Sequence, residues 1–133
     1  MSDWFTWLGE QVGGPCAVRI EQRMFDLAAS MIAGYAGGHW GVSFVGDVPV
    51  PELPRTLDAR VTITNSVNGT TAETDRRSAA VALAYLAVNW RLTETYLRGR
   101  EDLATRCAEV QSILADLSRS GALDASTIFA IVD

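Results

Sequence analysis

The spacing of apolar positions divides the chain into a helical start, an alternating middle and a helical end. Residues 3–12, DWFTWLGEQV, put Trp4, Phe5, Trp7, Leu8 and Val12 on roughly one helical stripe. Gly13, Gly14 and Pro15 break it. Over 16–35, Ile20, Met24, Leu27, Met31 and Tyr35 recur at helical spacing, with Arg19, Gln22, Arg23 and Asp26 elsewhere around the helix. This predicts an amphipathic helix that stops near Gly34, or at Gly37 and Gly38, where a positive φ costs little.

From His39 the period falls to two. Trp40, Val42 and Phe44 share one face of a predicted strand, and Gly41, Ser43 and Val45 the other. The three prolines of VPVPELP, residues 48–54, exclude a central strand and leave an edge strand or an extended crossing. Residues 59–66 alternate again, with Val61 and Ile63 opposite Arg60, Thr62 and Thr64. Asn68-Gly69 then predicts a two-residue hairpin turn, with Thr70 to Glu73 returning. The middle of the chain reads as a small antiparallel meander.

Thr74 or Asp75 offers the side-chain oxygen that caps a following helix. AAVALAYLAV, residues 79–88, is apolar nearly all round, which predicts a helix buried on several sides and ending near Gly99. A further helix carries Leu103, Cys107, Val110, Leu114 and Leu117 on one stripe, with Glu101 and Asp102 at its favourable N-terminal end and a stop at Gly121. Asp124 caps a last short helix containing Ile128, Phe129, Ile131 and Val132. The expected fold is α+β: an N-terminal helix, a small antiparallel β-meander, two long helices and a short C-terminal helix. One domain spans 1–133, with residues 1–15 an aromatic segment and 16–133 the body.

Composition narrows the function classes. The 133 residues are 48% hydrophobic, a globular value. All eleven basic residues are arginine, and the net charge is −5. An acidic chain gains little by neutralising phosphates, so general nucleic-acid binding is disfavoured. No basic leader and no apolar run long enough to cross a membrane stands in the sequence, so a cytosolic protein is expected. Cys16 and Cys107 lack metal-ligand spacing and read as two buried, reduced thiols. One histidine limits metal sites, and neither a metal nor a cofactor is expected.

Little of the sequence speaks for catalysis. There is no nucleophile-elbow or phosphate-loop pattern, and the glycines of GYAGGHWG neither follow a strand nor open a helix. His39 reads as a structural residue at a strand start, as an interface residue, or as the base of a small hydrolase working with Asp47 or Asp75. Trp40 reads as core or as a contact. Arg76 and Arg77 sit in a first helical turn, where the dipole disfavours cations. Pairing with Glu73, contact with an acidic partner, or simple solvation would each account for them. Trp4 and Trp7 read as core or as an interface anchor. The 103–117 stripe and the N-terminal aromatics are also candidate homodimer surfaces.

The order of these features resembles the KlcA/ArdB-type antirestriction family. GYAGGHWGVSF leads into a strand, NSVNG ends another, a Thr-Asp cap opens an Ala-rich helix containing AYLAVNW, and ALDASTIFAIVD closes the likeness. Gly37, Gly38 and Trp40 match the family's Gly-Gly-aromatic-Trp stretch, with His39 where an aromatic is usual. Asn65 and Gly69 match its Asn-x-aromatic-x-Gly stretch, with Val67 in the aromatic position. Asp75 stands for the helix-start Asp, Asn89 echoes an asparagine late in that helix, and Ile131-Val132-Asp133 resembles the tail. The likeness covers about residues 20–133 and implies a non-enzymatic inhibitor, carried by plasmids or phages. Its implied partner is a bacterial defence nuclease complex: type I restriction–modification, or a CRISPR effector where the motifs depart. His39, Trp40, Arg76, Arg77, Trp4 and Trp7 are the expected partner contacts.

Overall fold

In a computed structural model that describes residues 2–133, the chain opens with α1 (Ser2–Val12). Gly13, at φ 88°, ends α1 and starts α2 (Gly14–Met31). That angle lies where residues with a Cβ are strained. Helix α2 stops earlier than its periodicity predicts. Ile32 leaves it extended, forms a single antiparallel bridge to Ile63, and Ala33 N–H donates to the Thr62 carbonyl at 3.0 Å. Pairing with the sheet thus replaces the helix's last turn.

Strands β1 (Gly41–Val45) and β2 (Val48–Glu52) form one antiparallel hairpin, and β3 (Arg60–Asn65) and β4 (Thr70–Asp75) a second. The fold is α+β, but the strands pair two by two instead of running on as one meander. The prolines explain the separation. Pro49 and Pro51 stand two residues apart opposite Phe44 and Val42, so both amide-less nitrogens lie on the side of β2 away from β1. No further strand can add there with a complete ladder. The 60–65 alternation holds, with Val61 and Ile63 buried and Arg60 and Thr62 exposed. In β1 the burial differs from the expected faces: Val45 is buried, while Phe44 is 53% exposed.

Helix α3 (Arg76–Leu97) is the axis of the molecule. Residues 78–84 are all buried, as an apolar-all-round helix requires, because α3 packs on α2, on α4 (Glu101–Ser118), on α5 (Ala125–Val132) and on both hairpins. Its alanines leave room for these backbones to come close. The α4 stripe holds in Cys107, Val110 and Leu114, all fully buried in the chain's own core. Leu103 and Leu117, at the two ends of the stripe, are half-buried. Helix α1 joins the same core, packing on α2, α4, β1 and β2.

Two capping networks lock β4, α3 and α5 together. Asp75 Oδ2 accepts from Ser78 N–H at 3.0 Å, which makes Asp75 the cap of α3. Asp124 Oδ1 accepts from Thr127 N–H at 3.2 Å to cap α5. The caps interlock: Thr74 Oγ1 donates to Asp124 Oδ2 at 2.8 Å, and Asp124 N–H donates to Ser78 Oγ at 2.9 Å. Burial works against ionisation of both carboxyls. The bonds from Ser78 to Asp75, and from Thr74 and Thr127 to Asp124, outweigh it and hold both below the ordinary carboxylate value.

Candidate functional site

The hairpin after β3 is built differently from the two-residue turn that Asn68-Gly69 suggests. Asn65 pairs with Thr70, leaving a four-residue turn, 66–69. Side-chain amides drive the change. Asn65 Oδ1 accepts from Val67 N–H and Asn68 Oδ1 from Thr70 N–H, both at 3.0 Å, while Gly69 N–H closes onto the Asn65 carbonyl at 2.9 Å. The opposite ends of the same amides reach the last helix. Asn65 Nδ2 donates to the Ile131 carbonyl at 2.8 Å; Asn68 Nδ2 donates to Ala130 and Ile131 at 3.1 and 3.2 Å. Two of the carbonyls left over at the end of α5, those of Ala130 and Ile131, are thereby satisfied. The turn is pinned on both sides, and Val67 projects from its tip, 94% exposed.

Beside this tip lies an open groove of about 340 Å³ between α2, the hairpin and the end of α5, lined by Arg23, Leu27, Met31, Val67, Leu86 and Val132 among others. Arg23 continues the surface onto a cation–π cluster. The guanidiniums of Arg19 and Arg23 lie 5.8 and 5.2 Å from the centre of the Trp90 ring. Arg19 also pairs with Glu94 at 3.2 Å, and Arg23 Nε is buried without a hydrogen-bond partner. Groove, tip and cluster adjoin one another through Arg23 and Val67, with Asp133 also lining the groove and Asp26 beside the arginine–tryptophan cluster. Among the described residues no group of three His, Cys, Asp or Glu can hold a metal ion, and no helix is long and apolar enough to cross a membrane.

Most expected contact residues serve the fold instead. Trp4 is fully buried and Trp40 is 2% exposed, so neither presents a docking surface. Trp40 packs edge-on against Phe25 and Tyr35, and its indole N–H donates to the Tyr35 hydroxyl at 2.9 Å. A buried stripe and an interface stripe have the same spacing, which is why sequence left both readings open. Trp7 is half-buried. Arg76 donates to the Leu57 carbonyl at 3.0 Å; Arg77 donates to Ser43 Oγ at 3.2 Å and to the Ala122 carbonyl at 2.6 Å. These guanidiniums staple loops, and Glu73, their expected partner, pairs with Arg60. His39 is exposed, with no hydrogen-bond or ion-pair partner among the described residues. Asp47 is exposed in the β1–β2 turn, and Asp75 is committed to its cap.

The positions that carried the family resemblance have identifiable structural tasks. Gly37 and Gly38 have φ of 82° and 110°, and a Cβ on Gly38 would stand 3.2 Å from Pro54 Cβ. Asn89 Oδ1 accepts from Gln111 Nε2 at 3.0 Å, tying α3 to α4. Asn65, Gly69 and the 131–133 stretch meet at the pinned turn. Sequence reasoning passed over the Arg19–Arg23–Trp90 cluster. Its only local signal was the i, i+4 spacing of the two arginines, which puts them on one helix face. No family model matches the chain, and no curated protein does.

Proposed function

We propose that this protein is an antirestriction-type inhibitor: it binds a bacterial DNA-targeting defence complex, type I restriction–modification first and a CRISPR effector second, and blocks it by occupying a surface. The observation that carries the reading is the convergence of two stretches of the resemblance. Asn65–Gly69 and Ile131–Asp133 lie far apart in the chain yet meet through the amides of Asn65 and Asn68. What they build is a rigid turn with an exposed apolar tip next to an Arg–Trp cluster. Rigid presentation lowers the ordering cost of association. Arginine and tryptophan are the residue types that most often dominate interface energies. The contact surface is therefore the face formed by Arg19, Arg23, Trp90 and Val67, in place of the buried Trp4 and Trp40.

Phage plating tests the reading. Unmodified phage is plated on isogenic hosts with and without a type I system, and on a CRISPR-immune host, each expressing the protein. The expected result is restored plating on at least one of the two defended hosts. A charge reversal, Arg19→Glu with Arg23→Glu, removes that restoration while the protein stays folded. Full restriction on both hosts at high expression refutes the proposal.

A further inference from the structure

Backbone geometry leaves one side of β1 without a partner. Residues in an antiparallel pair alternate between hydrogen-bonded and non-hydrogen-bonded positions. The two-residue turn at 46–47 makes Val45 and Val48 a hydrogen-bonded pair, and Pro49 and Pro51, which cannot donate, stand opposite Phe44 and Val42. Val42 and Phe44 therefore direct their N–H and C=O groups away from β2. Among the described residues neither makes a backbone–backbone hydrogen bond beyond the hairpin. Two other edges are occupied or interrupted: Ile32 and Ala33 pair with β3, and the prolines break the outer side of β2. Exposed edges are ordinarily guarded by charge, proline or a bulge. GVSFV carries no charge and no proline, and its register with β2 runs without a bulge.

We infer that β1 is a self-association edge: two copies of the chain pair β1 with β1 antiparallel about a two-fold axis at Ser43, joining two hairpins into one four-stranded sheet. The axis sets Val42 opposite Phe44 of the second copy, and Phe44 opposite its Val42. Each of these pairs exchanges two N–H to C=O bonds, so both outward donors and both outward acceptors of each edge are used. Side chains match in the same register. Phe44, 53% exposed, comes beside the second copy's Val42 on one face, an aromatic and β-branched cross-strand pair. At the ends, the exposed His39 of one copy faces the turn that carries the exposed Asp47 of the other, an N–H donor toward a carboxylate. Arg77 reaches Ser43 from α3 at 3.2 Å, and its guanidinium is also engaged by the Ala122 carbonyl of its own chain at 2.6 Å. The match is self-complementary, as a two-fold contact requires, and that favours a second copy over a foreign strand. β1 contributes no residue to the Arg19, Arg23, Trp90 and Val67 face, so the inference is separate from the proposed inhibition.

One strand edge buries less than about 1,200 Å², the range of weak, reversible association. Sedimentation equilibrium of the full chain under reducing conditions, from about 10 μM to about 1 mM, covers that range. The average mass is expected to rise toward twice that of the chain, and amide exchange at Val42 and Phe44 to slow with it. Val42→Pro removes one outward N–H and leaves the ladder bonds to β2 in place. Phe44→Glu, at an exposed position, puts a carboxylate beside the seam. Each variant is expected to keep its circular dichroism and to stay monomeric over the same concentrations. The register has its own test. Residues opposite each other in a non-hydrogen-bonded pair lie about 4.5 Å apart between Cα atoms, within disulfide reach. Oxidised Ser43→Cys is therefore expected to form a disulfide-linked dimer, while Thr71→Cys, exposed on β4, reports random collision. A wild-type chain that stays monomeric throughout overturns the inference and leaves the edge to a strand of another protein. So does a dimer that survives both Val42→Pro and Phe44→Glu, or a Thr71→Cys protein that cross-links as fast as Ser43→Cys. None of these readouts depends on defence inhibition.

Discussion

Replacing Asp124 with alanine perturbs the junction on which β4, α3 and α5 all depend. The α5 cap to Thr127 N–H is lost, which costs about 1 kcal/mol. Thr74 pays more. The residue is 1% exposed, and its hydroxyl donates to Asp124 Oδ2 at 2.8 Å; without that oxygen it keeps only a 3.4 Å contact with Asp75 Oδ1. Stranding a buried hydroxyl costs about 1–3 kcal/mol. The expected loss is therefore about 2–4 kcal/mol, which a domain stable by about 5–15 kcal/mol survives. Urea unfolding followed by tryptophan fluorescence measures it. The pH dependence adds a second criterion. Asp75 and Asp124 are both held below the ordinary carboxylate value in the fold, so the unfolded chain binds more protons as the solution is acidified. Their stabilisation is complete above about pH 4 and is lost as pH falls through and below that value. The Asp124→Ala protein, already lacking one of the two, loses less over the same range. A change under about 0.5 kcal/mol at pH 7, the size of an ordinary surface substitution, refutes the reasoning. So does an acid profile that parallels the wild type.

Two further substitutions test the turns. Gly38→Ala forces a Cβ to φ 110° and to within 3.2 Å of Pro54, so urea unfolding is expected to show a loss of about 2 kcal/mol. Gly46→Ala has the same sign of φ but open space around it and is expected to lose less. Asn65→Ala removes the 2.8 Å bond to Ile131 and the turn bond to Val67, for about 1–2 kcal/mol. Hydrogen exchange of the Val67 and Gly69 amides is expected to accelerate with it, while that of the α3 amides is unchanged.

Much of this architecture was legible because its signals are local. A cap at Thr74 or Asp75, Asp124 as a cap, Gly13 as a breaker, the buried run after Ser78 and the alternation of Val61 and Ile63 each need only a few neighbouring residues to be recognised. What was hidden depends on contacts between distant segments. The early end of α2 follows from Ile32 pairing with Ile63. The four-residue hairpin turn follows from two asparagine side chains that compete with the backbone and bond to α5. Trp4 and Trp40 went to the core because a helix or strand face does not announce whether its own chain or a partner covers it. The Arg19–Arg23–Trp90 face likewise needed α2 and α3 to be assembled first.

Transformation with unmodified plasmid DNA is the most direct test of the account. A host carrying a type I system expresses either the wild-type protein or the folded Arg19→Glu, Arg23→Glu variant, and a CRISPR-immune host carries the same pair. Wild type is predicted to raise the yield of transformants toward that of an undefended host on at least one of them, and the variant to leave it low. Equal yields from wild type, variant and empty vector on both hosts would contradict the claim that this face blocks a defence complex.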